Sequence, residues 1–110
     1  MEYIEIKEFD TLRISVEYKN DNGMALALNN INLFASMHSL YDNSLGINLI
    51  IEQLEVVAGT FVLTTNKASI KPQKYKIDIL FEDSVTGSRI TSETFGLKVN
   101  DAVTVPGAAV

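Results

Sequence analysis

Cysteine and tryptophan are missing from this 110-residue chain, and there are only two prolines, two arginines and one histidine. Without cysteine there is no disulfide, no thiolate metal site and no cysteine nucleophile. The compartment stays open on that ground, because many β domains need no covalent staple. A Ser–His–Asp set can be drawn from Ser39, His38 and Asp42, but these are near neighbours along the chain and no nucleophile elbow surrounds them. His38 therefore reads as a surface or loop histidine. The six glycines are scattered, so no phosphate-cradling loop is present. No apolar run is long enough to cross a bilayer as a helix. Residues 1–5 lack the basic start and apolar centre of a signal peptide. The expectation is a soluble protein, or one held at a membrane only through a protein partner.

Positive charge is also scarce. The formal net charge is −5, which disfavours a nucleic-acid surface, because phosphates are neutralised by clustered Lys and Arg. Lys67, Lys71, Lys74 and Lys76 fall close together in sequence; a solvated sheet edge or face is the simplest account of them. Fourteen acidic residues are present, yet Asp78, Glu82, Asp83 and Glu93 lack the spacing of a calcium loop. A pair of catalytic carboxylates would need a cleft that so short a chain can hardly build. No enzymatic activity, no metal and no cofactor are expected.

What the chain does have is alternation. Hydrophobic residues make up 46% of it, enough for a core, and one domain of this length buries roughly two thirds of its unfolded surface. Leu12, Ile14, Val16 and Tyr18 recur at every second position, as do Tyr75, Ile77, Ile79 and Phe81. Such spacing puts one face of a strand inside and one in water. Ile4 and Ile6 repeat the pattern near the start, and Phe9-Asp10 reads as a turn. Asn22-Gly23 is a tight-turn pair. Residues 31–37 fit a strand, although Leu33, Phe34, Met37, Leu40 and Tyr41 also fit helical spacing; the flanking strands favour the former. In residues 47–57 the parity shifts after Ile51, either by a bulge near Gln53 or by two short strands meeting at a bend. Phe61 and Leu63 share a face, Pro72 marks a connection, residues 82–88 read as a hairpin loop and residues 90–99 as the last strand. Gly96 beside Phe95 suggests a bend or close backbone approach. About seven or eight short segments at regular spacing predict an all-β sandwich over residues 1–102. Residues 103–110 carry no charge and read as a flexible tail, or as an arm ordered by a partner.

The order of these features resembles the amino-terminal immunoglobulin-like domain of the phage baseplate upper protein family. The turn and apolar segment Asn20-Asp21-Asn22-Gly23-Met24-Ala25-Leu26-Ala27-Leu28 is similar to that family's D-x-x-G turn and following segment. Residues 31–38 match its long strand, and Gly59-Thr60-Phe61-Val62-Leu63 its Gly-aromatic strand. Pro72-Gln73-Lys74-Tyr75-Lys76-Ile77-Asp78-Ile79 resembles its approach to a Y-x-x-D-I strand, and residues 90–99 with Val103-Thr104 its end. Gln73 stands where the family commonly has glycine, and Ala25 or Ala27 where it has aspartate. The likeness is thus to a structural tail or baseplate relative rather than to the baseplate protein itself.

The resemblance implies an immunoglobulin-like β-sandwich that acts as a virion assembly module of the tail, baseplate or fibre attachment, made in the bacterial host cytoplasm. It implies other virion proteins as partners and several copies per particle, a homo-oligomer in the assembled state, with neither nucleic acid nor membrane bound. It brings no catalytic residues. Ile4, Ile6, Ile47, Leu49, Val103, Val105 and Val110 are the candidate interface residues, because free strand edges and an apolar tail suit docking. A carbohydrate-binding or adhesin-type immunoglobulin-like domain is the competing reading, with Tyr3, Tyr41 and Asn43 as glycan contacts. Tyr18 and Tyr75 keep parity with core residues and are assigned to packing.

Overall fold

In the computed structural model, which describes residues 2–19, 22–23, 28–41, 46–53 and 59–106, the alternating runs become strands. They are β1 (Tyr3–Lys7), β2 (Arg13–Glu17), β3 (Ile31–Ser39), β4 (Gly46–Asn48), β5 (Ile50–Gln53), β6 (Thr60–Thr64), β7 (Lys74–Asp83), β8 (Arg89–Thr91) and β9 (Phe95–Asn100). There is no helix among the described residues. Residues 31–39 are strand, as their flanks suggested.

Six strands form one sheet, ordered β1-β9-β7-β3-β4 with β8 also paired to β7, and three form the other, ordered β2-β6-β5. Every pairing is antiparallel except that of β1 with β9, which is parallel. The two inner faces share one core. From the larger sheet come Met37, Tyr75, Ile77, Ile79, Leu97 and Val99; from the smaller, Ile14, Phe61 and Leu63. Tyr18 stacks on Phe81 with ring centroids 4.5 Å apart, and Phe61 meets Phe81 edge-on at 6.2 Å. Aromatic pairs in these geometries add stability beyond their buried area.

Two strand boundaries are set by the partner sheets. Of the two alternatives for residues 47–57, two short strands meeting at a bend is the one observed: they meet at Leu49, where the chain leaves the larger sheet after β4 and enters the smaller one as β5; Leu54 and Val56 lie outside the described residues. Ile47, Leu49 and Ile51 all reach the core although they belong to different layers. Residues 90–99 are not one strand. Leu80 opposes Thr91 while Ile77 opposes Phe95, so residues 78–79 of β7 face residues 92–94. One extra residue makes a bulge, which accounts for the change of parity between Ile90 and Phe95. Ser92 anchors it: its Oγ accepts the Ile79 N–H at 2.9 Å, and its own N–H donates to the Ile79 carbonyl at 2.8 Å.

Turn chemistry follows the residues that supply it. Gly87 has φ 77° and closes the β7–β8 hairpin, with its N–H donating to the Asp83 carbonyl at 2.8 Å. Asp83 Oδ1 accepts the N–H groups of Val85 and Thr86 at 2.8 and 3.1 Å. Aspartate favours this position because its short carboxylate reaches the backbone two residues on. Two buried residues escaped the sequence pattern. Ile70, in the polar link between β6 and β7, is 2% exposed, and its N–H donates to the Glu8 carbonyl at 3.0 Å. Val62 is 1% exposed although it lies on the outer face of β6. Arg13 on β2 and Glu52 on β5 approach to 3.7 Å, spanning that face of β6.

Candidate interaction surfaces

The outer face of the larger sheet gathers several polar side chains by register alone. Tyr3 on β1 stands opposite Gly96 on β9, which stands opposite Lys76 on β7, which stands opposite His38 on β3. The two ends of this row are alike. The Tyr3 ring lies over Gly96, so that a Cβ there would fall 2.6 Å from Tyr3 Cε1. The His38 ring lies over Gly46 on β4, where a Cβ would fall 2.8 Å from Cε1. Gly96 also donates its N–H to the Glu2 carbonyl at 3.1 Å. A close approach at Gly96 is what the sequence suggests, and the missing side chain is what admits it.

Lys74 extends this face. Its ammonium sits 5.2 Å from the centre of the Tyr3 ring, within cation–π range. Its strand neighbour Lys98 approaches Glu5 to 3.7 Å. Lys74 also lines a shallow groove of about 300 Å³ with Tyr41, Pro72, Lys98 and Asp101. Tyr41 is 73% exposed. Of the three proposed glycan contacts, Tyr3 lies against Lys74 and Tyr41 lines the same groove as Lys74; Asn43 lies outside the described residues.

The interface candidates divide sharply. Ile4 is 42% exposed on β1, whereas Ile6 and Ile47 pack against the core and Leu49 is buried within it. Leu49 therefore has no outward side chain to offer a neighbour. Val103 is 96% exposed and Val105 50%, just beyond Ala102, whose N–H reaches Glu8 Oε1 at 3.4 Å. Val110 lies outside the described residues. Sequence reasoning missed the outward Phe34, 52% exposed, and the groove of about 420 Å³ that it lines with Leu33, Ala35, Asn48, Leu49 and Ile51.

His38 and Ser39 project to opposite faces of β3, one exposed and one fully buried. The Ser39 hydroxyl donates to Gln73 Oε1. His38 and Ser39 are therefore not poised together, and Asp42 lies outside the described residues. Among the described residues no group of three or more His, Asp or Glu side chains is placed to hold a metal ion. No helix among them is long and apolar enough to cross a membrane.

Three groups have displaced pKa values. Burial pushes the Tyr75 phenol up, partly offset by its hydrogen bond with Gln73. Glu82 is held below its ordinary range by hydrogen bonds from Arg89, whose Nε lies 2.6 Å away, and from Asn32. Asp83 is held low by the two backbone N–H groups of its turn. All three serve architecture: one fixes a corner and two fix the β7–β8 hairpin. No family model, curated protein or solved structure matches this chain.

Proposed function

We propose that this chain is an immunoglobulin-like assembly module of a phage tail, baseplate or fibre-attachment apparatus. The fold part of the reading is supported by the strand order. β1 runs parallel to β9 at one side of a sheet in which β7 lies between β9 and β3, and β2, β6 and β5 make the facing layer. That order fits a Greek-key sandwich of the immunoglobulin kind.

The observation that carries the family part is Tyr75. It is the second residue of β7, and its hydroxyl donates to the Lys71 carbonyl at 2.7 Å, the corner geometry found near the start of the corresponding strand in immunoglobulin-like domains. This tyrosine is also the first residue of the Y-x-x-D-I strand that resembles the baseplate family. The assembly role is supported by the apolar side chains left in water at Ile4, Val103 and Val105. Docking of a neighbouring subunit would cover them and satisfy open strand edges. Immunogold labelling of tails from infected cells tests the proposal: label at one fixed position along the tail supports it, and unlabelled particles contradict it.

Tyr41 favours the carbohydrate reading as the second one. An exposed phenol beside Lys74, Lys98 and Asp101 offers a sugar a stacking face, hydrogen-bond donors and an acceptor. Saturable binding to a glycan panel, lost on Tyr41→Ala, would favour it over assembly.

A further inference from the structure

The groove beside β3 exists because β4 is short. β4 covers only Ser36, Met37 and His38. The Leu49 N–H then donates to the Ala35 carbonyl at 2.9 Å, after which the chain leaves for the other sheet. Along a strand, backbone groups alternate sides. Ala35 turns its carbonyl to this edge, so Leu33 turns its N–H and carbonyl the same way, and among the described residues no strand pairs with them. Beneath this open backbone lie the apolar walls Leu33, Leu49 and Ile51. Residues 31–35 measure about 16 Å along this edge; the Ile31 N–H donates to the Leu28 carbonyl at 3.1 Å and the Ala35 carbonyl is taken by Leu49, so the open backbone is centred on Leu33.

The chain also carries a segment with the complementary features. Val103 and Val105 are two apart and both exposed. In an extended conformation they share one face, with Thr104 on the other. No charged residue follows Asp101, and Pro106 would end any added strand. Adding a strand to an open edge gives main-chain hydrogen bonds, and side chains at alternate positions fill pockets.

This segment cannot reach its own groove. Lys98 pairs with Lys74, and the Leu40 N–H donates to the Lys74 carbonyl, so Lys98 stands level with Leu40. Leu33 is seven residues further along β3, about 23 Å away along the strand alone. The five residues from Lys98 to Val103 span at most about 18 Å, and β7 and β3 must still be crossed. The acceptor must therefore belong to another molecule.

We propose that residues 101–105 of one copy add as a strand to the open β3 edge of a second copy, seating Val103 and Val105 against the partly exposed Leu33 and Ile51. This rests on the assembly reading and names one contact within it. Each copy holds one donor and one acceptor, so copies either exchange strands reciprocally or extend head to tail.

Light scattering on the full chain over a hundredfold concentration range tests this, alongside a Val103→Asp/Val105→Asp variant that alters only exposed positions. The parent should rise above the 12.1 kDa of one chain, and the variant should stay at it with an unchanged circular dichroism spectrum. A second arm mixes Asn48→Cys chains with Val103→Cys chains under oxidation. With no native cysteine to compete, a mixed disulfide between positions 48 and 103 should form. A parent that remains single at every concentration, a variant that associates as the parent does, or absence of the mixed disulfide would each overturn the strand exchange. If the lone chain stays single but still enters particles, the exchange fails and the assembly reading stands. If it self-associates through this contact but never enters particles, the exchange stands and the assembly reading fails.

Discussion

The Tyr75 hydroxyl donates a 2.7 Å hydrogen bond to the carbonyl of Lys71, four residues earlier in the chain. The ring is 2% exposed, so its only polar atom is satisfied within the link that joins the two sheets. Pro72 lies between donor and acceptor, and Ile70 fills the core just before them. The corner thus ties the start of the long strand β7 to the loop that delivers it.

Replacing Tyr75 with Phe keeps the ring and removes this bond. The expected loss is about 1 kcal/mol in denaturant unfolding, the usual net value of one such hydrogen bond. The pH profile should change as well. Burial raises the folded pKa above the ordinary 10.0, so the neutral phenol's contribution is full below that value and is lost as pH rises through the folded one. Tyr75→Phe should flatten the alkaline fall in stability; an unchanged alkaline limb would mean the phenol contributes nothing there.

At the opposite end of the pH scale the hairpin carboxylates decide. Glu82 and Asp83 have folded pKa values below the ordinary 4.5 and 3.8. Their contribution is therefore full above those ordinary values and is lost as pH falls through the depressed ones. Both are half-buried and still reach solvent, so the effect is small. Thermal melts of Glu82→Gln and Asp83→Asn should show a shallower acid decline than the parent. Equal slopes would place the acid sensitivity elsewhere.

Gly96 is the clearest steric test. Alanine there would collide with the Tyr3 ring and sit 3.0 Å from the Glu2 carbonyl. Gly96→Ala should cost about 1–3 kcal/mol, as overpacking usually does, and should loosen the parallel pairing of β1. In a Tyr3→Ala background the same substitution should cost less, since only the backbone contact remains. Additive losses in this double-mutant cycle would show that the ring is not what excludes a Cβ.

Alternation made most of this architecture readable. Leu12, Ile14, Val16, Tyr18 and the Tyr75–Phe81 series point inward as period two requires. What could not be read depends on distant backbone. The bulge at residues 92–94 is visible only as a mismatch of register with β7, and the exit of the chain at Leu49 depends on where the second sheet lies. Ile70 is one apolar residue in a polar loop, with no periodic neighbour to mark it. The candidate surfaces divide in the same way. Val103 and Val105 stand out in sequence as an uncharged tail, but the groove beside β3 arises from the shortness of β4. Leu49 fell among the candidate contacts because alternation does not reveal that a crossing residue remains inside.

Removing residues 103–110 separates assembly from folding. Because Val103 and Val105 make little contact with the core, the shortened chain should unfold at nearly the same denaturant concentration as the parent. Its association should be weakened far more. A truncated chain that is equally stable and assembles normally would remove the tail from the account.

The central claim, that the chain is a multicopy part of a tail particle, is tested most directly by counting it. Quantitative mass spectrometry of gradient-purified particles should find the chain at a fixed ratio of several copies per particle, falling sharply for Val103→Asp/Val105→Asp. Finding it only in the unsedimented fraction, with particles complete in its absence, would contradict the account.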